Sequence, residues 1–207
     1  MRRSKRKADR IMSEKCTYKD FLTLFQFCTK EVQEDLLVRL RKQNKPFSLC
    51  GKEVPANLNS ISYGMLDDLR TAASTEDPIG GCVRVLLGVD ESLLLLEDVN
   101  DVFGFVTFVT KELEKINKLF SDIKSTYTKE EEAAGIHELD FGSFGILDWY
   151  ARRMGITNQN DVRDVAWVRI YQCMKNDNMQ SEFERRLHKQ YMNSNRMSNK
   201  SRGGKRR

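Results

Sequence analysis

Asp98-Val99-Asn100-Asp101-Val102-Phe103-Gly104-Phe105-Val106-Thr107-Phe108-Val109-Thr110-Lys111-Glu112-Leu113-Glu114-Lys115-Ile116-Asn117-Lys118-Leu119-Phe120 is the stretch that decides the fold. Val102, Phe103, Phe105, Val106, Phe108 and Val109 leave its first half apolar nearly all round. Leu113, Ile116, Leu119 and Phe120 then recur at helical spacing. A helix of this kind starts near Asp98 or Asn100 and lies centrally, with other elements packed around it. Gly104 within it costs about 1 kcal/mol relative to alanine, which points to close packing at that position.

The rest of the chain supplies the neighbours. The only prolines are Pro46, Pro55 and Pro78, so nothing after Pro78 forbids long helices. Thr17 can cap a helix that places Phe21, Leu24, Phe25 and Cys28 on one face. In the segment from Lys30 to Lys42, Val32, Leu36, Leu37 and Leu40 fit a helix, while Leu36, Val38 and Leu40 also alternate as in a strand. Residues 46–55 carry the one convincing β signal, a small hairpin turning at Cys50-Gly51-Lys52 between two prolines. Ile61, Met65, Leu66 and Leu69 predict a helix over 61–74, and Asp77-Pro78 opens another that reaches Gly88.

Beyond the central helix, Thr128-Lys129-Glu130-Glu131 fits a capping box opening a helix through Leu139. Ser143 can cap a helix over Phe144–Met154, ended by Gly155. Thr157 can cap the next, Asp177-Asn178 breaks the pattern, and Met179, Phe183, Leu187 and Tyr191 form a last amphipathic helix. The expected fold is mainly α: a helical bundle with one small β-hairpin near residues 46–55 and disordered basic termini. The expected organisation is a basic arm over 1–15, a helical region with the hairpin over 16–122, a helical region over 123–194 and a basic tail over 195–207.

Charge is distributed unevenly along the 207 residues. Arg2, Arg3, Lys5, Arg6, Lys7 and Arg10 against Asp9 give the first ten residues +5. Arg196, Lys200, Arg202, Lys205, Arg206 and Arg207 give residues 195–207 +6. With a chain total of +5, residues 11–194 carry −6. Two cationic arms on an acidic body admit two readings: attachment to nucleic acid, or solvated tails that contact an acidic protein face. The arms hold no aromatic residue for base stacking.

Chemistry-bearing patterns are sparse. The five cysteines, Cys16, Cys28, Cys50, Cys82 and Cys173, contain no C-x-x-C pair and read as free thiols. His137 and His188 have no serine, cysteine or acid at a spacing that marks a triad. Glu130, Glu131 and Glu132 sit in a first helical turn, where they favour the helix dipole. Gly80-Gly81 and Gly142-x-x-Gly145 lack the lysine and Ser/Thr of a phosphate loop. The expectation is a protein that is not an enzyme and has no cofactor and no metal. The apolar run from Val83 to Leu96 contains Arg84, Asp90 and Glu91, and the basic N-terminus precedes no apolar run, so a cytoplasmic location is expected.

The most unusual local sequence is Phe141-Gly142-Ser143-Phe144-Gly145, followed by Leu147-Asp148-Trp149-Tyr150. Aromatics beside glycines form either a partner-binding face or a tight helix–helix corner. Phe141, Phe144, Trp149 and Tyr150 are the candidate partner contacts.

Two segments carry a family resemblance. The first is Phe47-Ser48-Leu49-Cys50-Gly51-Lys52-Glu53-Val54-Pro55, then Leu58, Ile61-Ser62-Tyr63-Gly64, Leu66 and Asp68-Leu69. The second is Glu132-Ala133-Ala134-Gly135, then Leu139, Phe141-Gly142 and Leu147-Asp148. Together they resemble the tail assembly chaperones of tailed bacteriophages of gut bacteria. The resemblance implies a small, mainly helical factor in the host cytoplasm, non-enzymatic, that binds the tape-measure protein and keeps it soluble during virion morphogenesis. The basic arms fall outside this pattern. The alternatives are a nucleic-acid-associated protein acting through Arg2, Arg3, Lys5, Arg6, Lys7, Lys200, Arg202, Lys205, Arg206 and Arg207, and a structural virion component such as a head–tail connector.

Overall fold

The computed structural model describes residues 16–123 and 127–203, with side chains as far as Asn195. Residues 1–15, with Arg2, Arg3, Lys5, Arg6 and Lys7, lie outside the described residues, as do Lys205, Arg206 and Arg207 and the side chains of Lys200 and Arg202.

Mainly helical architecture is what the chain adopts. In order, the elements are α1 (Tyr18–Phe25), α2 (Lys30–Leu40), β1 (Ser48–Leu49), β2 (Lys52–Glu53), α3 (Tyr63–Ala72) and α4 (Pro78–Leu87). After a 3-10 turn at Glu91–Leu96 come α5 (Val99–Ser121), α6 (Lys129–Ala133), a 3-10 turn at Ile136–Glu138, α7 (Gly142–Met154), a 3-10 segment at Gln159–Asp164 and α8 (Trp167–Gly203). The hairpin is antiparallel, Ser48 facing Glu53 and Leu49 facing Lys52.

The central helix is α5. Val99, Val102, Gly104, Phe105, Val109, Leu113 and Ile116 are buried along it, and Asp98 caps it by accepting from the Asn100 N–H. Gly104 meets another backbone: a Cβ built there would sit 2.0 Å from the Asn44 carbonyl oxygen. No side chain fits that gap, which explains a glycine in a helix interior.

One main core draws on both halves of the chain, from Leu49, Leu58, Leu66 and Phe105 to Leu147, Tyr150, Trp167 and Ile170. A smaller cluster joins Cys16, Phe21, Cys28, Leu36, Leu40 and Val99. The halves are stitched where α8 begins. The buried Trp167 indole donates to the Leu58 carbonyl at 2.6 Å, Ser62 and Ala166 form an antiparallel bridge, and Phe120 packs against Trp167 and Tyr171 with centroids 6.1 and 5.6 Å apart.

Several local readings are resolved or corrected. The segment after Lys30 is helix, ending at Leu40. The capping box at Thr128 forms, but its helix stops at Ala133, because Gly135 takes φ +81° and starts the 3-10 turn. Ser143 is not the cap of α7: the helix begins at Gly142, two residues earlier than expected, and the Asp140 carboxylate accepts from the Gly142 N–H at 2.8 Å. Thr157 caps nothing either, since Asn158 caps the 3-10 segment that buries Val162. The expected break at Asp177-Asn178 is absent, and one helix runs from Trp167 to Gly203. Asp177 is bound by Arg153, so its carboxylate does not compete for its own backbone as such residues do at helix ends. The same helix continues as backbone across 195–203, where the sequence holds no proline to stop it.

No helix among the described residues is long and apolar enough to cross a membrane.

Candidate functional site

Helix α7 sets the geometry of the aromatic segment. Leu147, Tyr150 and Ala151 form its inner face. Gly155, at φ +68°, ends it in the left-handed conformation that glycine takes without strain. Arg152 pairs with Asp148 one turn back at 2.8 Å, and Arg153 reaches across to Asp177 of α8.

Between α7 and α8 lies an open groove of about 320 Å³. Its apolar wall is Ile123, Ile146, Trp149 and Met174, and its polar rim is Asp177, Asn178 and Ser181. Gly145 forms part of the floor beside Phe141, whose Cβ would lie only 2.6 Å from a Cβ at that glycine. Gly145 therefore lets the exposed Phe141 ring fold over the first turn of α7.

The four candidate contacts do not act as one patch. Phe141 is 68% exposed and Phe144 60% exposed. Trp149 lines the groove and is half-buried. Phe144 and Trp149 are five residues apart, about 140° round the helix axis at 3.6 residues per turn, so Phe144 faces away from the groove. Tyr150 is the correction: it is 1% exposed and belongs to the main core, where a partner cannot touch it. Helical phase separates Tyr150 from its neighbour Trp149, and adjacency in sequence conceals that.

Residues outside the original candidates complete the surface. Ile123, Met174, Asn178 and Ser181 enter only because α5 ends and α8 passes beside α7. Their distances along the chain carry no local signal. Near the same end of α8, Glu131 lies close enough to Arg185 to feel its charge. Its carboxyl is held below the ordinary range first by the Thr128 N–H, against the opposing effect of burial, and then by Arg185.

Nothing in the groove is arranged for covalent chemistry. Its titratable member, Asp177, is engaged by Arg153. Among the described residues, no three His, Cys, Asp or Glu side chains gather as a metal ion requires. What the groove offers is apolar area with a hydrogen-bonding rim, suited to an amphipathic segment.

Comparison with protein-family models, with curated proteins and with solved structures finds no match.

Proposed function

We propose that this chain is a non-enzymatic assembly chaperone or adaptor that binds a long helical protein, of the tape-measure kind, during phage tail morphogenesis. The observation that supports the reading most is the apolar groove between α7 and α8, walled by Ile146, Trp149 and Met174 with Phe141 exposed beside it. A tape-measure protein is a long amphipathic helix whose apolar face must stay covered until tube subunits assemble round it. A groove of this size takes a few side chains of such a face at a time and binds them reversibly. The resemblance of residues 47–69 and 132–148 to tail assembly chaperones points the same way.

The test is recovery of the tagged chain from infected cells, washed at low and high salt, with bound protein and nucleic acid identified. One long helical phage protein retained through high salt, together with absence of the chain from purified particles by mass spectrometry, supports the proposal. Nucleic acid held at low salt and released at high salt transfers the function to the cationic arms. A fixed copy number in finished particles makes the chain a virion component instead.

A further inference from the structure

The close approach of the Asn44 backbone to Gly104 shapes a smaller pocket, of about 180 Å³, between α5 and the segment that follows α2. Three anchors hold that segment against its surroundings. The Thr107 hydroxyl donates to the Arg41 carbonyl at 3.3 Å. The Asn44 carbonyl fills the space that a side chain at position 104 would take. The Lys45 ammonium donates to the Val54 and Pro55 carbonyls at 3.2 and 3.0 Å and lies 5.2 Å from the centroid of the Phe108 ring. From α5, Lys111 and Lys115 stand one turn apart on the face that carries Gly104 and Phe108. Gln43 and Asn44 complete the wall.

This pocket is cationic on a body that is acidic. Lys45, Lys111 and Lys115 against Glu112 give its lining +2. Glu112 is already satisfied: Lys115 donates to one of its oxygens at 2.5 Å and the Leu58 N–H to the other at 3.3 Å. Burial opposes its ionisation, but Lys115 and the Leu58 N–H outweigh burial and hold the carboxyl below its ordinary range. Around the rim, Glu114 and Lys118 of α5 cancel, as do Lys52 and Glu53 of the hairpin. Asp35 is taken by Arg39, which leaves Arg41 and Lys42 as a further +2 beside the pocket. Of the three protons on each ammonium, Lys45 commits two to protein acceptors and Lys115 one. Lys111 is in no ion pair among the described residues.

These features select a ligand. A carboxylate brings a single charge. A nucleobase finds no ring to stack on, because Phe108 is covered by Lys45 on one side and packed on the core. A terminal phosphate carries close to two negative charges at neutral pH and three strong acceptor oxygens, which match the +2 lining and its three ammonium groups. We propose that the pocket between α5 and residues 43–45 binds the doubly charged phosphate group of a small molecule, a phosphomonoester or a diphosphate, with Lys45, Lys111 and Lys115 each donating to it. Lysine serves such a group as a point charge. Lys45 and Lys115 are held in place before the ligand arrives, by the two carbonyls and by Glu112, and Lys111 closes on it. This goes beyond the groove reading and does not depend on it.

The test is isothermal titration calorimetry of the full chain with inorganic pyrophosphate, at about 0.15 M salt so that diffuse attraction is screened. One saturable site is expected. Lys111→Gln weakens it about tenfold, the worth of a hydrogen bond to a charged group, and Lys111→Glu abolishes it while the circular dichroism spectrum is unchanged. Lys115→Gln repeats the test from a second position. Lys52→Gln, outside the pocket, and Arg2→Gln with Arg3→Gln, in the N-terminal arm, leave the affinity as it was. Dimethyl phosphate, which carries one charge, binds at least ~10-fold more weakly than pyrophosphate. Absence of a saturable site, indifference to both Lys111 variants, or an equal loss with the Lys52 or arm variants overturns the proposal. So does an oligothymidylate that binds more tightly than pyrophosphate and is lost with Lys111→Glu, because the pocket would then hold a phosphodiester backbone and not a terminal phosphate.

Discussion

Arg153 and Asp177 clamp α7 to α8 through two parallel hydrogen bonds, Nη2 to Oδ1 at 2.8 Å and Nε to Oδ2 at 3.0 Å. The clamp sits at the rim of the groove and also holds α8 continuous past Asp177, where the sequence reads as a break. Both partners are substantially exposed, so their pairing fixes geometry more than it adds stability. Asp177→Asn keeps one acceptor and removes the charge. We expect little change in melting temperature and a several-fold loss of affinity for a groove ligand, measured by thermal denaturation and by retention of the bound helical protein. A large drop in melting temperature would show that the clamp is structural first.

Gly104→Ala should destabilise the protein, although alanine is the better helix former by about 1 kcal/mol. The new Cβ would lie 2.0 Å from the Asn44 oxygen and 3.0 Å from its carbonyl carbon, both backbone atoms that cannot swing aside. Overpacking of this kind costs about 1–3 kcal/mol. Urea denaturation midpoints read it directly, and a variant as stable as the parent would mean that the Asn44 segment does not lie against α5.

Tyr150→Ala and Phe144→Ala should separate the two residues that sequence places together. Tyr150 is core, and loss of a buried aromatic ring costs about 3–5 kcal/mol. Phe144 is exposed, and its truncation should change stability by no more than about 0.5 kcal/mol. Parallel thermal melts check both. Similar losses in the two variants would place Phe144 in the core as well.

Cys50 and Cys82 should resist alkylation near neutral pH. Burial, and then the Glu97 carboxylate, push the Cys50 thiol up to about 11. Burial, and then Asp77, do the same for Cys82, also to about 11. Raised values keep the neutral thiol at pH 8, so the thiolate fraction there is roughly 0.1% and grows about tenfold per pH unit below 11. Mass spectrometry after brief iodoacetamide treatment from pH 7 to 10 should show labelling at both positions rising steeply with pH. Fast labelling of Cys50 at pH 7 would contradict the packing of the hairpin against Glu97.

Much of the fold is legible in the residues. The near-continuous apolar face of 102–109 and the glycine within it place α5 at the centre, Asp77-Pro78 and Gly88 bound α4, and the prolines at 46 and 55 isolate the hairpin. These signals are local. The break expected at Asp177-Asn178 was a local signal too, and a residue 24 positions away overrides it. The candidate site was only half legible for the same reason. The aromatic cluster marks α7, but which of its rings faces solvent depends on helical phase and on neighbours supplied by Ile123 and Met174.

If the groove between α7 and α8 holds a long helical partner, as proposed, substitutions at its wall and rim should release that partner. The most direct measurement compares the parent chain with Phe141→Ser and Ser181→Trp in the same recovery from infected cells at high salt. Both substitutions fall on exposed positions, one removing the ring beside the groove and the other filling the groove itself. The parent is expected to retain one long helical phage protein, and both folded variants to lose most of it. Undiminished recovery by both variants would contradict the claim.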